Sequence, residues 1–166
     1  SGAATSQKQN FAIGYWTPTT SWRLFALGFV SGTGKAEVLM KSLTTGASTD
    51  LDDNGWETPA VNQSSAGSTA FNLFVYYHKT GKFYGARALT HIWAFTPDGS
   101  TAFADTHQAL AYTTVAQGLV HSKDDRLYIP YDNKIAKNDN GSWTTAALTL
   151  PTHLTITSIC EYGNYI

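Results

Sequence analysis

The sequence carries little charge and almost no cysteine. Lys and Arg together number 11 and Asp and Glu together 12 in 166 residues, which gives a formal net charge of -1. A chain without a basic excess has no electrostatic footprint for nucleic acid or for an anionic membrane surface, so we expect neither partner. The single cysteine, Cys160, cannot form an internal disulfide, and we expect packing alone to hold the fold.

Long hydrophobic runs are also missing. No apolar run reaches the roughly 18 residues that a membrane-spanning helix needs, and the start of the chain lacks the basic-then-apolar order of a signal peptide. We therefore expect one soluble domain over residues 1–166, in which residues 1–9 form a flexible N-terminal segment. The composition leaves the compartment undecided and slightly favours an extracellular or virion-surface location.

Aromatic residues, by contrast, are abundant, with five Trp, nine Tyr and eight Phe. Ring and β-branched side chains suit a pleated surface, so this composition favours strands over helices. No long segment shows the 3.6-residue apolar period of an amphipathic helix. The sequence therefore predicts an all-β fold with little or no helix.

A polar turn that contains glycine occurs three times, at Gly55, Gly99 and Gly141. These glycines are 44 and 42 residues apart, which is the period of a propeller blade. Runs of β-type residues separated by hairpin turns precede each glycine, so each unit of about 43 residues predicts a four-stranded antiparallel meander. The first three strands of each unit are predicted as follows: Phe11–Trp16, Trp22–Val30 and Ala36–Leu43 in the first unit, Phe71–His78, Lys82–Ala88 and His91–Phe95 in the second, and Gln117–Ser122, Arg126–Tyr131 and Lys134–Lys137 in the third. A fourth strand follows in each unit.

One such sheet cannot bury both of its faces, whereas sheets packed radially in a β-propeller can. The sequence therefore predicts a single β-propeller domain of three units plus a tail that supplies one strand and part of a second. Two arrangements are open. In the first, which is slightly favoured, the tail and the N-terminal segment complete a fourth blade shared between the termini. In the second, the chain is a fragment of a larger propeller, or pairs with another copy to complete one.

Two segments, Phe71–Arg87 and Arg126–Trp143, contain aromatic-rich strands and a Gly/Asn turn, and the second ends in a Trp. This pattern resembles the blades of fungal and bacterial propeller lectins of the fucose-binding type. The resemblance implies a propeller fold and sugar contacts made by Trp, Arg and Glu side chains. The sequence departs from the family at two points: Leu73–His78 lacks the strand Arg, and Gly85 or Lys137 replaces the Glu.

The turn at Asp139, Gly141 and Trp143 is also similar to the Asp-box of sialidase-type propellers. In those proteins the box is a structural turn far from the active site. This second resemblance implies a propeller fold and says little about chemistry.

The residues Asp50, Asp52 and Asn54 precede Gly55 with the spacing of the first half of a calcium loop. Alternate side chains would offer hard oxygen ligands, but Val61 stands where the closing bidentate acid belongs. A solvated hairpin turn capped by its own side chains is the favoured alternative. A structural Ca²⁺ at this turn is the one cofactor that we consider, and no other is expected.

Tryptophans near turns and two arginines are the candidate ligand-binding residues. An exposed indole ring can stack on the apolar face of a sugar, although the same ring can instead pack between sheets. An Arg fork can pair with polar ligand groups. The candidates are Trp16, Trp22, Trp56, Trp93, Trp143, Arg87 and Arg126.

No catalytic motif and no complete metal-binding motif is present, so we expect no enzyme. The leading hypothesis is a non-enzymatic, lectin-like module that binds a glycan or another small ligand. One alternative is an assembly protein of a viral or cell-surface appendage, whose last blade is completed by a neighbouring chain through self-association. The least favoured alternative is a sialidase-like glycoside hydrolase, which would need Arg23, Arg87 and Arg126 to converge and activity that depends on Arg126 or Glu57.

Overall fold

The computed structural model describes residues 11–30, 33–43, 56–57, 59, 63–67, 73–87 and 89–166. Within these residues the regular structure is twelve β-strands and one short 3-10 turn, Thr17–Thr19. The described part of the chain contains no helix long and apolar enough to cross a membrane. The predicted all-β fold is confirmed.

The strands form three four-stranded antiparallel sheets, and in each sheet the strands follow chain order. Sheet I contains β1 (Phe11–Trp16), β2 (Ser21–Phe29), β3 (Lys35–Ser42) and β4 (Gln63–Gly67). Sheet II contains β5 (Phe74–Tyr77), β6 (Lys82–Arg87), β7 (His91–Phe95) and β8 (Ala104–Ala109). Sheet III contains β9 (Leu119–His121), β10 (Arg126–Tyr131), β11 (Lys134–Asp139) and β12 (Ser142–Thr149). The three predicted meanders are therefore present, with strand ends shifted by a few residues.

Two of the three glycine turns occupy equivalent places in the fold. Gly99 lies between the third and fourth strands of sheet II, and Gly141 lies between the third and fourth strands of sheet III. Both have positive φ, 73° and 94°, a conformation that glycine adopts without steric cost. Gly55 lies outside the described residues, as do the predicted calcium ligands Asp50, Asp52 and Asn54.

Sheet II lies between the other two sheets, and both of its faces are buried. Successive side chains of a strand point to opposite faces, so β7 sends Trp93 and Phe95 to one side and Ile92 and Ala94 to the other. The first pair packs with sheet I residues such as Phe25. The second pair packs with sheet III residues. The middle sheet therefore holds the two hydrophobic cores apart.

Equivalent strands of the three sheets lie near one another. β1 contacts β5 and β4 contacts β8. The first strand of sheet I therefore lies beside the first strand of sheet II, and the fourth beside the fourth. The Gln117 side chain, just before β9, donates to the Phe74 carbonyl at 3.0 Å and accepts from the Phe74 N–H at 3.3 Å. The start of sheet III is thereby tied to the first strand of sheet II.

The C-terminal tail, residues 150–166, departs from the sequence prediction. It contains no strand, only an isolated bridge between Tyr162 and Tyr165. Its backbone instead bonds to the β10–β11 turn, from Leu150 N to Asn133 O and from Ile156 N to Asp132 O, both at 2.7 Å. β1 pairs with β2 over its whole length. In the described residues, the sheet predicted to be shared between the termini is therefore not formed.

Candidate functional site

A shallow pocket of about 430 Å³ opens at one end of sheet I, where β1 turns into β2. Its wall combines an aromatic ring, a guanidinium group, three hydroxyl side chains and one aliphatic side chain. The lining residues are Thr19, Ser21, Trp22, Arg23, Ser42 and Leu43.

The β1–β2 turn decides which tryptophan lines this pocket. Pro18 lies in the 3-10 turn, whose end is marked by Thr20 in the left-handed region at φ 51°. The hairpin register then pairs Trp16 with Ser21 and Tyr15 with Trp22. Trp16 therefore points into the core beside sheet II, while Trp22 lies on the opposite face of sheet I.

Trp22 is 53% exposed and is held by two neighbouring rings. Tyr15 and Tyr76 meet it edge to face, with ring centroids 5.6 Å and 6.0 Å away. A ring that is fixed by its neighbours and still half exposed loses little conformational entropy when a ligand stacks on it.

Arg23, the residue after Trp22 in β2, is fixed by an ion pair with Glu57 and reaches the pocket from the other face of the strand. Its Nη1 lies 2.8 Å from both carboxylate oxygens of Glu57, and its side chain is only 11% exposed. Glu57 is in turn held by β3, because its N–H and carbonyl exchange hydrogen bonds of 2.8 Å and 2.9 Å with Met40. The positive charge of Arg23 and the negative charge of Glu57 cancel, so the pair offers polar groups with no net charge.

Hydroxyl groups complete the site. The Thr19 and Ser21 hydroxyl oxygens are 2.7 Å apart, and Arg23 makes longer hydrogen bonds of 3.4 Å to both of them. A hydroxyl can donate and accept, so this wall can match ligand groups that do the same.

The other predicted tryptophans have different surroundings. Trp93 is fully buried and Trp16 is nearly so, and both belong to the core between sheets I and II. Trp143 packs against the core between sheets II and III, edge to face with a tyrosine ring. Trp56 is half-buried beside Phe11. Trp22 is the most exposed of the five.

The predicted arginines do not lie at this pocket. Arg87, at the end of β6, donates to the Asp105 carbonyl at 3.4 Å. Arg126, at the start of β10, donates to the Asp139 carboxylate at 2.7 Å. Together with Arg23 they occupy three different sheets, so the three arginines do not converge. Among the described residues no group of three metal-ligating side chains is present.

A second polar cluster lies on sheet III, around Asp124. This carboxylate accepts a 2.6 Å hydrogen bond from the Tyr128 hydroxyl and lies 2.9 Å from His121 Nδ1. Burial opposes ionisation of Asp124, but the hydrogen bonds from Tyr128 and His121 outweigh it and lower the pKa of Asp124. Burial, and then the bond to Asp124, raise the pKa of Tyr128. The phenol therefore stays protonated, and the cluster holds its members in place rather than activating a nucleophile.

The sequence interpretation named Arg23 and Glu57 only in the hydrolase alternative and did not include the hydroxyl residues among the ligand contacts. Arg23 and Glu57 are 34 residues apart in the chain, and only the pairing of Glu57 with β3 brings them together. The one available indication was that Arg23 directly follows Trp22 after a turn.

Comparison of the chain with protein-family models, with curated protein sequences and with solved structures gives no match.

Proposed function

We propose that this chain is a non-enzymatic module that binds a carbohydrate in the pocket beside Trp22. The observation that carries the proposal is the juxtaposition of a half-exposed indole ring with a neutral Arg23–Glu57 pair and several hydroxyl side chains. A sugar presents an apolar C–H face to an aromatic ring and hydroxyl groups at its edge, so it can satisfy both kinds of wall at once.

The size and charge of the pocket narrow the ligand class. A volume of about 430 Å³ is at the lower end of the range for small-molecule sites, which suits a mono- or disaccharide. Because Glu57 already neutralises Arg23, a neutral sugar fits better than an acidic one.

The fold part of the proposal is that the three sheets are consecutive blades of a β-propeller. Its support is that sheets I and II lie with first strand beside first strand and fourth beside fourth, and that Gln117, just before the first strand of sheet III, bonds to Phe74 in the first strand of sheet II. Radial stacking of this kind is how four-stranded units bury both faces.

The tail supports a propeller larger than three blades. After sheet II the chain bonds to the turn between β6 and β7, from Leu110 N to Thr90 O and from Tyr112 N to Leu89 O. After sheet III the tail also bonds to the turn between β10 and β11, first through Leu150 and then, six residues later, through Ile156. The tail therefore takes the path on which the next unit would begin.

The arrangement of charged groups favours binding over hydrolysis. The hydrolase alternative depends on Arg126 and Glu57, but Arg126 lies on sheet III and Glu57 beside β3 of sheet I, with sheet II between them. Each is paired with a different partner, Asp139 and Arg23 respectively. This separation supports a binding module.

The test is calorimetric titration with neutral mono- and disaccharides at a protein concentration at which the chain does not self-associate, so that a second copy does not compete for Trp22. We expect Trp22→Ala to weaken the binding seen with the wild type by roughly tenfold or more. Tyr162→Ala removes a ring that is 84% exposed but distant in the chain from the pocket, and it should bind like the wild type. Equal affinities for the wild type and Trp22→Ala would refute the site, and turnover of chromogenic glycosides would refute the non-enzymatic assignment.

A further inference from the structure

The exposed apolar side chains of this protein concentrate at the two ends of the sheet stack. Among the described residues, ten large hydrophobic side chains are exposed. Only Leu89 belongs to the middle sheet. Phe11, Ile13, Trp22 and Leu43 belong to sheet I, and Leu148, Leu154, Tyr162, Tyr165 and Ile166 belong to sheet III and the tail.

At the sheet I end, these side chains form one face. Gly14 of β1 faces sheet II, because a Cβ there would lie 2.3 Å from the Phe83 ring. Phe11 and Ile13 therefore point away from sheet II, and Ile13 is paired with Leu24 of β2. The face of sheet I that carries Ile13, here called the sheet I face, is apolar along β1, where Ile13 is 55% exposed, and carries Lys41 and Glu37 on β3.

The same kind of face is buried inside the stack. The corresponding face of sheet II carries Phe83 and Phe95, which are fully buried against sheet I. The corresponding face of sheet III carries Leu127 and Ile129, which are fully buried against sheet II. Sheet I therefore covers this face of sheet II, and sheet II covers this face of sheet III. Sheet I has no preceding sheet in this chain, and the same face stays exposed.

At the sheet III end, one side chain shows how each sheet contacts the sheet that follows it. Trp16, Tyr77 and His121 each end the first strand of their sheet. Trp16 packs under the Gly99 turn of sheet II, and the Tyr77 hydroxyl accepts the Asn140 N–H of the next turn at 3.1 Å. His121 has a side chain only 6% exposed, yet its Nε2 has no hydrogen-bond partner in the part of the chain that the structure describes. His121 therefore stands at the place of Trp16 and Tyr77, but its Nε2, which its own chain already covers, makes no hydrogen bond to a following turn in the described residues.

We propose that the sheet III end of one copy of this chain binds the sheet I face of a second copy, head to tail. The stack itself contains this contact twice, between sheets I and II and between sheets II and III, so the second copy continues an arrangement already present. The association covers the exposed apolar residues at both ends, which include Trp22 of the proposed sugar site. A head-to-tail contact closes into a ring or extends into a filament.

The first test is sedimentation velocity of the wild type, Ile13→Asp and Leu89→Asp from micromolar to millimolar concentration. We expect the wild type to sediment above the mass of the 18.0 kDa chain and Ile13→Asp to sediment as the single chain. Leu89→Asp is the matched control, since Leu89 is also exposed but belongs to the middle sheet. It should associate like the wild type. A wild type that stays a single chain throughout, or an Ile13→Asp that associates like the wild type, would overturn the proposal.

A mixing experiment separates head-to-tail from face-to-face association. Tyr165→Asp changes a tail residue that is 76% exposed and should also sediment as the single chain. Ile13→Asp keeps an intact sheet III end and Tyr165→Asp keeps an intact sheet I face, so their mixture should form one-to-one pairs. Absence of such pairs, with both variants retaining cooperative thermal unfolding, would contradict the head-to-tail contact. Sugar binding plays no part in either test.

Discussion

Gly85 and Trp93 face each other in neighbouring strands of sheet II, and the glycine backbone lies directly against the indole ring. A Cβ at Gly85 would come within 2.1 Å of Trp93 Cζ2. Trp93 is fully buried among the rings of Phe74 and Phe103, so it cannot move aside. The strand therefore needs glycine at this position for space.

We expect Gly85→Ala to lower the free energy of unfolding by about 3 kcal/mol, because overpacking a filled core forces side chains and backbone to shift. The measurement is urea unfolding followed by tryptophan fluorescence. Gly28→Ala is the matched control, since a Cβ at Gly28 meets nothing within 4 Å, and its effect should stay within about 0.5 kcal/mol. Equal effects of the two substitutions would contradict this packing.

The Tyr77 hydroxyl links two turns of sheet III to sheet II. It donates to the Asp125 carbonyl at 2.9 Å and accepts from the Asn140 N–H at 3.1 Å. Tyr77→Phe leaves both backbone groups without this partner, so we expect a loss of roughly 2 kcal/mol in unfolding free energy. Tyr162→Phe, at an exposed ring, should change nothing measurable. A loss no greater than that of the control would show that the hydroxyl does not connect the sheets.

Asp132 ties the entry of sheet III to the β10–β11 turn. Its Oδ1 accepts from the Thr113 and Thr114 N–H groups at 2.9 Å and 2.8 Å. Burial alone would raise the pKa of Asp132, but hydrogen bonds from Thr113 and Thr114 outweigh burial and lower the pKa below the ordinary 3.8. The ionised form is therefore favoured by folding, and its stabilisation is present above pH 3.8 and lost as the pH falls through the lowered pKa.

We expect Asp132→Asn to be less stable than the wild type near neutral pH, and the difference between the two proteins to shrink as the pH falls below 3.8. The measurement is the free energy of unfolding of both proteins as a function of pH. Asparagine tolerates the positive φ of 46° at this position, so the backbone is not the cause of the difference. A difference that stays constant down to the lowest pH at which both fold would contradict the assigned pKa direction.

The Arg23–Glu57 pair can be measured by a double-mutant cycle. Glu57 is half exposed, so we expect the coupling free energy between Arg23→Gln and Glu57→Gln to be about 1 kcal/mol. Added salt should reduce it, because the exposed partner is screened. Strictly additive effects of the two substitutions at low salt would show that the pair does not hold the pocket together.

The repeat and the hairpin turns made most of the fold predictable. The alternation of side chains along β7 places Trp93 on one face of the sheet and Ile92 on the other. Glycines with positive φ occupy the same turn in sheets II and III. The tail was not predictable, because its path depends on hydrogen bonds to Asp132 and Asn133 that are distant in sequence from most of it.

The pocket was only partly predictable for a related reason. Trp16 and Trp22 flank the same turn, yet one is core and the other lines the pocket. Their roles depend on the hairpin register, and a shift of one residue would exchange the faces of β2. The pairing of Glu57 with Arg23 depends on a backbone bridge between Glu57 and Met40, and no local sequence pattern predicts that bridge.

The central claim, carbohydrate binding at Trp22, is tested most directly by applying the wild type and Trp22→Ala to one array of neutral and acidic glycans. The account predicts that the wild type binds a neutral class of glycans and that Trp22→Ala loses that binding. A wild type that binds no glycan, or a Trp22→Ala that keeps the wild-type binding pattern, would contradict it.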